Sequence, residues 1–293
     1  MSRWWARVLA GLGGLIALAA IGLFAVVWFE GTHPWRGRAD YVALGSSFGA
    51  GPGIFPREAR SPLLCAQSQR NYAHLIARDR ALSLVDRTCS GATTRHVLYG
   101  GQYFQPAQIE AIGPQTRLVT VTIGGNDAHF AENLVSAACT RRGLLFRMVV
   151  GCRVWPEAQV STGLDAARTN LRLIAADVHR RAPQARLVFV GYFRLLPDSG
   201  TCPALGMDAG AADRARHLAA RLGQITRDAA HAAGATFVDL DRLGHGHDAC
   251  SSDPWVNGAS PTGALAAPFH PTAAGMRAAA TAIELQMGPI NAR

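Results

Sequence analysis

Short apolar runs alternate with longer Ala-rich segments along most of the chain. Each of the five runs has four to six residues and is mostly apolar, with few polar positions and no charged residue except Asp239. This pattern is typical of parallel β-strands that are covered on both faces. The predicted strands are residues 41–44, 82–85, 118–123, 187–190 and 236–240.

Helical candidates separate these runs. The strand–helix alternation predicts an α/β fold, a three-layer α/β/α sandwich around a five-stranded parallel sheet. Neither an internal repeat nor a second linker interrupts it, so residues 39–293 are expected to form one domain. The predicted helices lie near residues 67–80, 128–138, 162–181, 208–233 and 271–286.

An apolar segment precedes this domain. Residues 8–29 carry no charge over 22 positions, and a helix of that length, about 33 Å, crosses a hydrocarbon core of about 30 Å. We therefore expect residues 1–30 to be an uncleaved membrane anchor and residues 31–38 to be a linker. Tryptophans flank both ends of the segment, as in interfacial aromatic belts: Trp4, Trp5, Trp28 and Trp35.

A cleaved signal peptide is the competing interpretation of this segment. Ala17-Leu18-Ala19 matches an A-x-A cleavage site. Cleavage there would leave the strongly apolar residues 21–29 as the mature terminus, which favours the anchor. Both interpretations place the rest of the chain outside the cytoplasm.

The cysteines agree with an exported domain. All six lie beyond the apolar segment, and none forms a C-x-x-C pair, which disfavours a zinc ribbon or a redox motif. Six cysteines allow 15 connectivities, of which sequential pairing is the simplest. The six cysteines are Cys65, Cys89, Cys139, Cys152, Cys202 and Cys250.

The basic charge does not indicate a nucleic-acid partner. The net charge of +9 comes from 29 basic residues, all of them arginine, against 20 acidic residues. Nucleic-acid binders usually cluster such residues on one face, whereas here at most two are adjacent. We therefore expect no nucleic-acid binding.

Candidate chemistry follows the predicted strands, where the site of an open parallel sheet lies. Gly45-Ser46-Ser47-Phe48-Gly49 follows the first strand, and Cys89-Ser90-Gly91-Ala92-Thr93 comes soon after the second. Gly124-Gly125-Asn126-Asp127 follows the third strand, and Phe269-His270-Pro271 precedes the last helix. Each motif alone is weak; their order and placement together are informative.

These four blocks resemble, in order, those of the SGNH (GDSL-like) hydrolase family, in particular the secreted lipases and esterases of actinobacteria. The resemblance covers roughly residues 40–285 and includes the stretches 246–250 and 254–258. It implies a flavodoxin-like sheet and sequential disulfides. It also implies ester hydrolysis without a metal or organic cofactor.

The resemblance assigns a role to each block. Ser47 is the implied nucleophile and His270 the general base, because a neutral serine needs an adjacent base. The implied oxyanion hole combines the N–H groups of Ser47 and Gly91 with the Asn126 side-chain amide. Donors of this kind stabilise the negative charge that develops on the carbonyl oxygen.

Two positions depart from the family pattern. Ser46 stands where the family usually has Asp, so we expect an altered local network. Ala267 stands where the family often has an Asp, three residues before the histidine. We expect the Ala267 backbone carbonyl to orient the His270 ring; the rival is a distant acid, Asp248 or Asp253.

Other interpretations of these residues carry less weight. Residues 45–49 also match G-x-S-x-G, the nucleophile elbow of α/β-hydrolases, but no sheet precedes them. A metal site at His245 and His247 lacks further ligands at suitable spacing. His129 is expected to start a helix, and Trp155 and Trp255 either line an acyl pocket or are buried in the core.

The sequence therefore predicts a monomeric serine ester hydrolase, either anchored to a membrane or secreted, that cleaves lipid or other acyl esters. An acyltransferase or carbohydrate deacetylase would use the same residues on a different acceptor or leaving group. A non-catalytic module that binds an envelope ligand is an alternative of a different class.

Overall fold

The computed structural model describes residues 3–35, 37, 39–139, 152–260 and 266–288. Five strands form one parallel sheet, in the order β2-β1-β3-β4-β5, which confirms the predicted sheet. All five residues of β1 and of β3 are buried, as expected of central strands. The strands are β1 (Tyr41–Gly45), β2 (Leu84–Asp86), β3 (Leu118–Thr122), β4 (Arg186–Val190) and β5 (Thr236–Val238).

The helices cover both faces of the sheet. On one face α3 packs against α9, and on the other α6 packs against α4 and α7, which gives three layers. The helices are α1 (Arg3–Thr32), α2 (Ser47–Ala50), α3 (Tyr72–Asp79), α4 (Thr94–Tyr99), α5 (Phe130–Cys139), α6 (Glu157–Arg181), α7 (Ala209–Ala232), α8 (Leu240–Leu243) and α9 (Ala273–Met287). Single turns of 3-10 helix lie at Leu63–Cys65, Gln102–Phe104, Gln108–Ala111 and Pro203–Leu205.

Polar side chains inside the core are paired across elements. The Tyr41 hydroxyl lies 2.9 Å from Thr120 Oγ1, and the Tyr72 hydroxyl lies 2.7 Å from Thr122 Oγ1. These pairs tie β1 and α3 to β3. They satisfy groups that would otherwise be costly to bury.

The N-terminal helix α1 ends two residues beyond the predicted segment, because it includes Gly31 and Thr32. Its stretch Gly11–Thr32 contains an 18-residue window with a mean hydropathy of 2.4, none of which is buried by the rest of the chain. In length and composition it is sufficient to cross a membrane, a test that a signal sequence also passes. The anchor therefore stays a prediction.

Three disulfides join the cysteines in sequential order, 65 to 89, 139 to 152 and 202 to 250. The first links the turn Leu63–Cys65 to the loop after β2. The third links the loop after β4 to the loop after α8. Two of the three therefore brace loops at the carboxyl edge of the sheet.

Candidate active site

Ser47 lies where β1 ends and α2 begins. The chain leaves β1 at Gly45, passes through the extended Ser46, and turns into α2 at Ser47, whose side chain is almost fully buried. The Gln108 side chain holds the strand end from the side. Its Oε1 accepts the Gly45 N–H at 2.8 Å, and its Nε2 donates to the Gly45 carbonyl at 3.0 Å.

His270 contacts Ser47 directly. His270 Nε2 lies 2.8 Å from Ser47 Oγ, and Nδ1 lies 2.7 Å from the Pro268 carbonyl oxygen. A carbonyl only accepts, so in the neutral ring Nδ1 carries the proton and donates it. Nε2 then presents its lone pair to the serine hydroxyl, which is the arrangement that proton abstraction requires.

The prediction that the Ala267 carbonyl orients the ring is wrong. Phe269 has a positive φ of 57°, and the resulting turn brings the Pro268 carbonyl to Nδ1. The Ala267 carbonyl instead accepts the Asn257 side-chain amide at 3.1 Å and closes the turn to the His270 N–H at 3.4 Å. A backbone carbonyl orients the ring as expected, but it is the one two residues before the histidine.

Neither rival acid contacts His270 in the described part of the chain. Asp248 Oδ1 accepts the Cys250 N–H at 2.8 Å, and Asp253 lies 3.5 Å from His247 Nδ1. The pKa of His270 is lowered from 6.5 by burial, an effect that its bond to the Pro268 carbonyl opposes. The neutral, proton-accepting form therefore predominates at neutral pH.

Hydrogen bonds hold the loops that carry the expected oxyanion-hole residues. The Cys89 N–H donates to the Gly45 carbonyl at 3.0 Å, which fixes the loop that carries Gly91. Asn126 Nδ2 donates one N–H to the Ala92 carbonyl at 2.8 Å. Among the described residues, the N–H groups of Ser47 and Gly91 have no acceptor.

Asp127 connects the loop after β3 to the start of α4. Its carboxylate accepts the Thr94 N–H at 3.0 Å and the Thr94 hydroxyl at 2.5 Å. Asn170 on α6 donates to the same hydroxyl at 2.9 Å. Burial raises the pKa of Asp127, while its bonds to Thr94 oppose that rise. Asp127 and Asn126 thus hold together the two loops that bear the oxyanion-hole residues.

Tyr192 is a site residue that the sequence reasoning missed. Its hydroxyl accepts the Gly125 N–H at 2.8 Å and is hydrogen-bonded to the Ser46 side chain. A Cβ atom on Gly125 would lie 2.6 Å from that hydroxyl, so only glycine allows this approach. The hydroxyl joins the nucleophile loop to the Asn126 loop, which is the altered network expected at Ser46. Its position just after β4 is the signal that could have identified it.

Aromatic packing supports the same centre. The Phe48 ring lies 4.9 Å from the His270 ring and 4.6 Å from the Tyr192 ring. Phe130 contacts Tyr192 edge-on at 5.8 Å. The Phe48 ring therefore packs against both the His270 imidazole and the Tyr192 phenol and holds them in place.

The remaining candidate residues lie beside the centre. His129 immediately precedes α5, as predicted, and stacks on Trp155 at 3.9 Å. His247 stacks on Trp255 at 4.1 Å, and His245 pairs with Asp198. Within the described ranges, no group of three or more His, Cys, Asp or Glu side chains is arranged to hold a metal ion.

A serine hydroxyl hydrogen-bonded to a neutral histidine, at the carboxyl edge of a parallel sheet, is the arrangement that a hydrolase with a serine nucleophile requires. The chain belongs to the GDSL-like lipase/acylhydrolase family, whose model matches residues 43–278. It is a carboxylic ester hydrolase.

Relatives from Streptomyces support this assignment. Lipase 2 of Streptomyces coelicolor is 34% identical over 271 residues, covering 89% of this chain and 91% of the relative. The crystal structure of phospholipase A1 from Streptomyces albidoflavus NA297 matches with a TM-score of 0.68 at 28% identity, covering 86% of this chain and all of that one. The crystal structure of an extracellular lipase from Streptomyces rimosus matches with a TM-score of 0.67 at 28% identity, covering 85% and 99%.

Proposed function

We propose that the protein hydrolyses acyl esters of lipids through an acyl-enzyme on Ser47, with His270 as the general base. The observation that carries this proposal is the 2.8 Å contact between Ser47 Oγ and the unprotonated Nε2 of His270. The relatives named lipase and phospholipase A1 support a lipid ester as substrate.

The first half of the reaction forms the acyl-enzyme. Ser47 Oγ attacks the ester carbonyl carbon while its proton passes to His270 Nε2. The carbonyl oxygen becomes an oxyanion, which accepts from the Ser47 and Gly91 N–H groups and from Asn126 Nδ2. The intermediate collapses, the C–O bond to the alcohol breaks, and the leaving oxygen takes the proton from Nε2.

Water completes the cycle. The His270 ring is now neutral again, and its Nε2 takes a proton from a water molecule. The oxygen of that water molecule attacks the acyl carbon. Collapse of the second tetrahedral intermediate releases the fatty acid and returns the proton to Ser47. The Pro268 carbonyl orients the imidazolium in both halves, with less electrostatic stabilisation than a carboxylate would give.

We further propose that the enzyme acts outside the cytoplasm and stays attached through α1. The 22-residue apolar stretch supports attachment, and the three disulfides support an oxidising compartment. The intact mass of the mature protein distinguishes an anchor from a cleaved signal, because only the anchored form retains residues 1–30.

A p-nitrophenyl ester series from acetate to palmitate tests activity, nucleophile and acyl preference together. Wild type is expected to hydrolyse the esters and Ser47→Ala to lose activity. Ser199→Ala, a change at an exposed serine on the loop after β4, is the matched control. A fluorophosphonate probe should label wild type and fail to label Ser47→Ala. Undiminished hydrolysis by Ser47→Ala would exclude the mechanism.

A further inference from the structure

Exposed apolar side chains on the catalytic domain surround the end of α1. Leu63, Leu64 and Phe104 are 41%, 38% and 47% exposed, and we call them the apolar rim. They lie on the 3-10 turns Leu63–Cys65 and Gln102–Phe104, both of which contact α1. The rim is therefore continuous with the exposed apolar side chains of that helix.

Specific contacts fix α1 against these turns. The Phe24 and Phe104 rings meet edge to face at 5.7 Å, and Glu30 Oε2 accepts the Leu63 N–H at 2.7 Å. A Cβ atom on Gly31 would clash with the Tyr103 carbonyl oxygen, so glycine is required for this close approach. The helix thus meets the domain through its last two turns and through Phe24.

The same turns border the active site. Gln102 Nε2 donates to the Ser90 carbonyl at 2.8 Å, and the Ser90 hydroxyl donates to the Cys65 carbonyl at 2.9 Å. The Cys65–Cys89 disulfide joins the turn Leu63–Cys65 covalently to the Gly91 loop. The apolar rim is therefore next to the loop that carries one of the oxyanion-hole donors.

The contact between Phe24 and Phe104 indicates how deep the rim would lie in a membrane. Glu30 is the first charged residue after the apolar segment, so the hydrocarbon boundary lies at or before it. Phe24 precedes Glu30 by six residues, or about 9 Å along a helix at 1.5 Å per residue. If α1 crosses a bilayer, Phe104 beside Phe24 lies at acyl-chain depth, like the apolar face of an interfacial helix.

The local backbone gives a second indication. Phe104 has a positive φ of 63°, a region that Gly or Asn adopts at lower cost. Its neighbour Tyr103 also has a positive φ but packs against the hydrophobic core, whereas Phe104 is exposed. Contact with a bilayer, in which Phe side chains are favoured, accounts for an aromatic residue at position 104.

We propose that the apolar rim inserts into the outer leaflet of the membrane that α1 spans, and that the active site takes its acyl ester from that leaflet. The first part depends on retention of α1, and the second also rests on the proposed function. The partner surface is thus the lipid bilayer itself.

Fluorescence quenching tests insertion without using activity. Full-length Phe104→Trp and Leu173→Trp are reconstituted into phosphatidylcholine vesicles with or without dibrominated acyl chains. Leu173 is a 45% exposed residue on α6, a helix packed against α4 and α7. The tryptophan added at 104 should be quenched by the brominated lipid and that at 173 should not. Equal quenching of the two, or a mature protein that lacks α1, overturns the proposal.

The ratio of two hydrolysis rates tests whether the active site takes its substrate from the membrane. Hydrolysis of a long-chain fluorogenic ester in the same vesicles is divided by hydrolysis of soluble p-nitrophenyl acetate. Because a carboxylate is costly at acyl depth, Phe104→Asp should lower this ratio about tenfold, while Leu173→Asp should leave it unchanged. An unchanged ratio for Phe104→Asp overturns the leaflet as the source. Quenching at 104 without hydrolysis of either ester contradicts the proposed function and supports the membrane surface alone.

Discussion

At the scale of single residues, the chemistry depends on which atoms of His270 are occupied. Nδ1 donates to the Pro268 carbonyl, so Nε2 is left to accept from Ser47. The residue types of this pair follow from the sequence motifs. The identity of the carbonyl does not, because it depends on the positive φ of Phe269, which the residue type gives no reason to expect.

Asn126→Ala tests the oxyanion hole. Loss of one such donor typically costs about 2.7–4 kcal/mol of transition-state stabilisation, so kcat should fall about 10²–10³-fold. Steady-state kinetics with p-nitrophenyl butyrate, with circular dichroism as the control for folding, measure the effect. A loss below tenfold in a folded variant would exclude this role for Asn126.

The fall of kcat/KM at acidic pH tests whether His270 is the general base. Because burial lowers the pKa of His270, the midpoint of this fall should lie below 6.5, and activity should fall as pH drops through it. The fall should persist in Asp127→Asn, which separates it from titration of that carboxyl. A midpoint at or above 6.5 would contradict the assignment.

The same pKa shift affects stability in a defined direction. The folded state binds fewer protons at His270 than the unfolded state between the lowered pKa and 6.5, so stability rises with pH across that window. The contribution of neutral His270 to the free energy of unfolding is fully present above about pH 6.5. It is lost as pH falls through the pKa of His270 in the folded state.

At the scale of elements, the loops after β1, β2, β3 and β4 are held in one arrangement by side chains from other elements. Tyr192 joins the Ser46 loop to Gly125, Asp127 joins the Asn126 loop to α4, and Gln108 clamps Gly45. These contacts link positions far apart in the chain. Because no local sequence pattern indicates such long-range contacts, the sequence predicts only the Ser, Gly, Asn and His blocks.

Tyr192→Phe tests whether this link positions the oxyanion donor. Removing the hydroxyl leaves the buried Gly125 N–H without its acceptor, which costs about 1–3 kcal/mol. We expect a lower free energy of unfolding in urea and a kcat about tenfold lower with KM unchanged. Burial raises the pKa of Tyr192 to about 12, so the pH profile should keep its shape. Lost stability with unchanged kcat would reduce Tyr192 to a structural residue.

Secondary structure was predictable to different degrees. All five strands were found because apolar runs buried on both faces leave a clear signal, and the long helices because Ala-rich segments separate those runs. Three short helices, α2, α4 and α8, were missed. At four to six residues they are too short to show a helical period.

At the scale of the whole molecule, a domain of this size folds around a large core, and the disulfides add local restraints. The bond between Cys202 and Cys250 closes the longest loop, with a sequence separation of 48. It connects the loop after β4 to the segment that leads to Asn257. The side chain and backbone N–H of Asn257 donate to the carbonyls of Ala267 and His270 and so support the turn that bears His270.

Replacing this pair by serine tests its contribution. Cys202→Ser/Cys250→Ser should lower the free energy of unfolding by about 4 kcal/mol, and Cys65→Ser/Cys89→Ser, which opens a loop of 24 residues, by about 3 kcal/mol. Urea denaturation of the full chain in mild detergent measures both. A larger loss for the shorter loop would show that loop entropy is not the main contribution.

The short stretch between α1 and β1 limits the reach of a tethered enzyme. Residues 33–40 are all that separate the helix from the first strand, and they extend at most about 29 Å. Ser47 follows at the far end of β1, about 23 Å further along. An enzyme that keeps α1 can therefore act no more than about 50 Å from the membrane surface. Ester substrates that lie farther from the membrane surface than this are out of its range until they diffuse within that distance.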